Sequence, residues 1–221
     1  MVIQEINIAI IYEGNEEKTF FNIVENNGIS NKFNVKFINA NGFGNIPIYY
    51  QAEISIPYFD LVVCVYDVDG KIDDMNSPYN IVRKGLKEIL QSDEKVDSIS
   101  FCTNPNILQF LLLGVDLLEN VKLTSTSKRK NTQLITKYWK QIGSKKSYDA
   151  SEWQLKIIED SYIYGDYKYE TILINAKDLD VDYKNNIPSS NLLGLLLALI
   201  NGNEKFINDL IKKININERN E

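Results

Sequence analysis

A chain of 221 residues, 44% hydrophobic and 24% charged, has an ordinary globular composition and enough length for one full core, which excludes disorder along the whole chain. It contains no histidine, so the commonest general base, the usual transition-metal ligand and the Ser-His and Cys-His nucleophile pairs are all removed. The formal charge of −6 repels anions on average, and any anionic partner has to meet a local basic patch.

The first half alternates strand-like and helix-like segments, the pattern of an α/β domain with a mostly parallel sheet. Residues 6–13, "INIAIIYE", predict a strand, and 15–28 a helix with Asn15 as N-cap, Glu16 and Glu17 at the positive end of its dipole and Gly28 as its stop. A second strand is expected over 32–40, then a short helix or irregular crossover over 45–55. Residues 59–69, "FDLVVCVYDVD", form a near-continuous apolar run of the kind found in strands covered on both faces. Ser77-Pro78 opens a helix to about Gln91, a fourth strand is expected over 97–104, and Asn104-Pro105 opens an almost wholly apolar, hence internal, helix over 105–120. Cys64 and Cys102 lie in strand-like runs and read as buried thiols of a reducing compartment.

From about residue 120 the character changes. Residues 121–148 carry eight of the chain's 24 basic residues and no Asp or Glu. Residues 149–163 and 166–180 look helical, and 188–214 read as a closing helical pair with Ser189, Ser190 or Asn191 as a cap. Three regions are therefore expected: an α/β core over 1–119, a basic helical insertion over 120–180, and C-terminal helices over 181–221 that pack on the core. The apolar runs fall short of the roughly 18–20 residues of a membrane span and the N-terminus has no leader pattern, so a cytoplasmic protein without membrane contact is expected.

Glu13 ends the first predicted strand, and Asp67 and Asp69 end the third. In a four-stranded doubly wound sheet of order 2-1-3-4 those strands are neighbours, and the loops at their carboxyl ends part at the switch point. Three carboxylates then converge on one crevice, an oxygen-only set that suits Mg²⁺ or Mn²⁺ with water and phosphate completing the shell. Taken singly, each acid reads equally well as a solvated loop cap. "DVDGKIDD" is a poor EF-hand, with its glycine too early and a strand before it. "VVCVYDVDG" also resembles the haloacid-dehalogenase phosphatase signature, in which the first aspartate is the nucleophile; Lys71 after Gly70 and the two strand–helix steps before it depart from that pattern.

"EGNEEKTFF" (13–21) resembles the E-G-x-T-E-x-x-Y-F opening of RloB-like Toprim proteins, with Glu13, Gly14, Glu17, Phe20 and Phe21 in register and Glu16 in place of the threonine. "VYDVDG" is similar to their D-x-D strand end, "TNPNILQFLLLG" (103–114) to their S-N-P-x-F-E-x-W-L-L-L-H segment, and "IPSSNLLGLLLAL" to a P-x-T-N-x-x-x-L segment. The likeness spans about 5–119 and returns near 188–198, with Leu108 and Gly114 where the family has Glu and His. It implies a Toprim-like, Rossmann-like core with helical additions. It further implies a role in anti-phage defence of the abortive-infection type, often beside an ABC- or SMC-like ATPase, and metal-dependent cleavage of DNA or tRNA.

On that reading Asp67 and Asp69 hold the metal, and Glu13 is a further ligand or the general base to the attacking water. Lys128, Arg129, Lys130, Lys137 and Lys140 bind the phosphate backbone, and Tyr138 and Trp139 stack on bases. The plainer reading of that segment is a solvated helix face. Two other functions stay open: a regulatory Toprim module with weak or no catalysis that docks on the ATPase, which the Leu108 and Gly114 departures favour, and the phosphatase. A homodimer is compatible with each.

Overall fold

The computed structural model describes residues 5–114, 169–179 and 188–215, together with single positions at 130, 133 and 137. Its centre is a five-stranded, mostly parallel sheet of order β2-β1-β3-β4-β5. β1 (Ile6–Tyr12), β2 (Phe33–Asn39), β3 (Leu61–Asp67) and β4 (Ser100–Asn104) are mutually parallel, and β5 (Ser189–Ser190) runs antiparallel against Thr103 and Asn104. Strand number and full order thus differ from the expected four-stranded 2-1-3-4 sheet, because Ser189 and Ser190, two of the three candidate caps, are paired into the edge, while the third, Asn191, is the N-cap of the helix that follows. Ser190 Oγ donates to Cys102 O at 2.8 Å, and the Asn191 side chain bridges Cys102 N–H and Ser100 O across the same edge.

Helices cover both faces. α1 (Asn15–Asn26), α5 (Leu108–Leu113), α6 (Tyr169–Asn175), α7 (Leu192–Asn201) and α8 (Glu204–Asn215) contribute to a core over Ile8, Ile10, Val63, Val65 and Phe101. α2 (Ile46–Ile54), α3 (Pro78–Leu90) and α4 (Asp93–Ile99) enclose the other core, over Ala9, Ile11, Val62, Cys64 and Tyr66. All seven residues of β3 are buried, as its apolar run requires of a strand sandwiched between two layers. Each fully buried Val or Leu there is worth about 1.5–3 kcal/mol.

Three boundaries differ from expectation for local reasons. Gly14 rather than Asn15 is the N-cap of α1, its N–H donating to Glu17 Oε2 at 2.9 Å in half of a capping box. Residues 97–99 are helical, because Ser92 accepts from Lys95 N–H and Asp93 and Glu94 fill the first turn, so β4 starts only at Ser100. Residues 105–107 form a turn before α5, and the Asn104–Pro105 peptide is cis. Ser77 caps α3 as expected, accepting from Asn80 N–H at 3.3 Å. The expected helices over 121–163 lie outside the described residues, save that positions 130, 133 and 137 are helical. No helix among the described residues is long and apolar enough to cross a membrane.

Candidate metal centre

β1 and β3 are adjacent and parallel, with Tyr12 opposite Val65, so both strands deliver their last residues to one edge of the sheet. Glu13 follows β1 directly, and Asp67 is the final residue of β3. Glu17, in the first turn of α1, enters the same space. One carboxylate oxygen from each of Glu13, Glu17 and Asp67 lies within 4.8 Å of the other two.

Aromatic packing sets the position of α1. Phe20 meets Phe110 of α5 edge-on at 5.7 Å, Phe21 meets Tyr12 at 5.5 Å, and Phe21 stacks on Phe37 of β2 at 4.9 Å. With that face locked to the sheet, Glu17 is carried inward and is only 3% exposed. Its Oε2 accepts from Gly14 N–H, which fixes the carboxylate toward the strand–helix turn.

Asp67 is held as firmly. Its Oδ1 accepts from Ile107 N–H at 2.9 Å, and its own N–H donates to Glu13 Oε2 at 3.5 Å. The loops around it are knitted together, with Asp69 N–H donating to Pro105 O at 2.7 Å and Gly70 N–H to Asn104 Oδ1 at 2.9 Å. Asp69 and Gly70 both have positive φ, 56° and 67°, so the chain turns sharply away as β3 ends.

The electrostatics are those of crowded buried acids. Burial pushes the Glu17 carboxyl up from its ordinary 4.5 to about 8, and the neighbouring Glu13 charge adds to the effect. Burial also raises Asp67 well above the carboxylate range, with Glu17, Glu13, Glu16 and Asp69 all contributing in the same direction.

This donor set fits a hard divalent cation. It is oxygen only, and an octahedral Mg²⁺ at about 2.1 Å from each ligand holds them roughly 3–4.2 Å apart, within a small side-chain rotation of the spacing seen. A divalent charge would also offset the repulsion that lifts both carboxyls.

Of the residues expected at the site, Glu13 and Asp67 are brought together. Asp69 stands outside the close group, half-buried, and its charge is felt at Asp67. Glu17 was missed as a ligand because it reads so readily as a helix-dipole acid. Its signal is the four-residue spacing from Glu13 across a strand-to-helix turn, which returns the side chain to the strand end. Lys128, Arg129 and Lys140 lie outside the described residues, and Lys130 and Lys137 are exposed. Comparison of the chain with protein-family models, with curated proteins and with solved structures found no match.

Proposed function

We propose that this protein is a Mg²⁺- or Mn²⁺-dependent nuclease with a Toprim-like core, cleaving phosphodiester bonds of DNA or tRNA. The observation that carries the reading is the meeting of Glu13, Glu17 and Asp67 at two adjacent strand ends. The three sequence motifs in Toprim order support it, and so does the basic stretch over 121–148. Anti-phage defence and an ABC- or SMC-like ATPase partner rest on the same motifs.

A bound divalent cation supplies Lewis-acid polarisation of the scissile phosphate and stabilisation of the leaving oxygen. The chain's own residues do the rest. Asp67, pinned by Ile107 N–H, and Glu17, pinned by Gly14 N–H, present oxygens at fixed positions, so little ordering is left to be done when substrate arrives. Glu13, with no histidine in the chain to take the role, accepts the proton of the attacking water. The lysines and Arg129 of the basic stretch contribute sequence-independent attraction to the phosphate backbone.

The test is cleavage of supercoiled plasmid and of bulk tRNA in Mg²⁺ and Mn²⁺ by wild type, Glu13→Gln and Asp67→Asn. Loss of cleavage in both variants and in chelator is expected. Cleavage that persists in Asp67→Asn would sink the proposal. The phosphatase signature accounts for Asp67 and leaves the convergence of Glu13 from the first strand unexplained, so the cluster favours the nuclease over the phosphatase. Leu108 and Gly114, in place of the family's Glu and His, favour a second reading, a regulatory module that binds metal and an ATPase but cleaves weakly or not at all. Cation binding without cleavage of either substrate would support that one.

A further inference from the structure

The connection from β4 to α5 carries polar side chains that the triad does not use. Thr103 and Asn106 are each 0% exposed. Thr103 Oγ1 and both amide atoms of Asn106, Oδ1 and Nδ2, lack a hydrogen-bond partner among the described residues. Folded proteins leave few buried polar groups in this state, and those they do leave are commonly met by water or a ligand.

Their placement is specific. Thr103 is the register partner of Asp67 on the neighbouring strand, so the two side chains leave the sheet on the same face. Two residues earlier on each strand, Val65 and Phe101 share one core, which identifies that face as the one α1 covers. Asn106 immediately precedes Ile107, whose N–H holds Asp67 Oδ1. Thr103 thus neighbours Asp67 on the next strand, and Asn106 adjoins, in the next loop, the residue that holds the Asp67 carboxylate.

We infer that Thr103 and Asn106 are positioning residues for the water molecules retained by a hydrated divalent cation at Glu13, Glu17 and Asp67. The inference rests on the metal reading of that triad. Mg²⁺ gives up its hydration shell reluctantly and keeps several waters. Each metal-bound water is a strong donor that needs an acceptor, and part of the triad's accepting capacity is already taken, Asp67 Oδ1 by Ile107 N–H and Glu17 Oε2 by Gly14 N–H. Thr103 Oγ1 and Asn106 Oδ1 supply acceptors without adding charge to a site whose carboxyls already repel one another. Asn106 Nδ2, likewise without a partner among the described residues, adds a donor. These residues act on the ion through its water and make no direct bond to it.

The experiment is a calorimetric titration of Mn²⁺ into the full chain as wild type, Thr103→Val, Asn106→Leu and Asp67→Asn, with thermal melts of each in chelator. Thr103→Val and Asn106→Leu are expected to weaken Mn²⁺ binding about tenfold each. Their melting temperatures should hold or rise, since an unpaired buried polar group is removed. A merely structural role predicts the opposite pair of results. Affinities within about twofold of wild type in both folded variants would overturn the inference; if Asn106→Leu fails to fold, the near-isosteric Thr103→Val decides. A wild type that binds no Mn²⁺, or an Asp67→Asn that binds as well as wild type, removes the metal reading itself and this inference with it.

Discussion

Replacing Glu17 with Gln is expected to stabilise the protein above neutral pH in the presence of chelator, although the residue is buried and accepts a hydrogen bond from Gly14 N–H. In the folded chain the Glu17 carboxyl titrates near 8, against an ordinary 4.5. Between those values the folded state holds a proton that the unfolded state has released, so stability is fully present below about pH 4.5 and is lost as pH rises through about 8. At about 1.4 kcal/mol per pH unit the whole window amounts to on the order of 5 kcal/mol, a large part of a typical folding free energy. Gln offers an amide oxygen to Gly14 N–H in place of Glu17 Oε2 and carries no charge to repel Glu13. The assay is urea unfolding from pH 5 to 8.5 in chelator. Wild type should lose stability steadily toward high pH, Glu17→Gln should show a shallower slope, and Mn²⁺ should rescue wild type at pH 8 more than it rescues the variant. Wild-type stability that rises over this range, or a variant less stable than wild type at pH 8, would refute the argument that these acids are held together against their own repulsion.

Asp67→Ala and Asp67→Asn should separate the two tasks of that side chain. Both are expected to lose Mn²⁺ binding by calorimetry, but Ala also strands the buried Ile107 N–H and should unfold at lower urea by about 1–3 kcal/mol, while Asn keeps an acceptor. Gly85→Ala should destabilise despite Ala's better helix propensity. A Cβ there would sit 2.6 Å from Cγ of the rigid Pro47 ring, and overpacking of about 1–3 kcal/mol outweighs a propensity gain of about 1, as thermal melts would show. Ser77→Ala removes the cap of α3 and should cost about 1 kcal/mol by chemical denaturation. Neutralising Lys128, Arg129 and Lys130 together should reduce the salt dependence of nucleic-acid binding by up to about three units of slope; an unchanged slope takes that segment out of the interface.

How far the chain could be read depended on the length scale of each signal. β3 was plain because seven consecutive buried residues leave no helical or amphipathic alternative, and β1 nearly so. Glu13 and Asp67 followed, since a charge that ends an apolar run marks where a strand meets solvent or a site. Glu17 was hidden by a second valid explanation, its favourable place in the first turn of α1. β5 was hidden by brevity: two serines carry no periodicity, and their pairing with Thr103 and Asn104 depends on chain more than 80 residues away in sequence. The start of β4 was misplaced because the helical cap at Ser92 outweighs the strand-forming residues that follow it. Asn106 gave no signal at all, because an asparagine after Pro105 reads as ordinary turn chemistry until its burial is known.

The bond from Ile107 N–H to Asp67 Oδ1 makes a backbone amide a built-in reporter. Whatever alters the electron density on that carboxylate, whether a proton, a cation or a substrate phosphate, also alters the amide's chemical shift and its rate of solvent exchange. The Asp69 and Gly70 amides are tied to the same turn, so one event at the acids should register at three neighbouring peaks in an amide spectrum. The chemistry at the end of β3 is thereby observable without a substrate in hand.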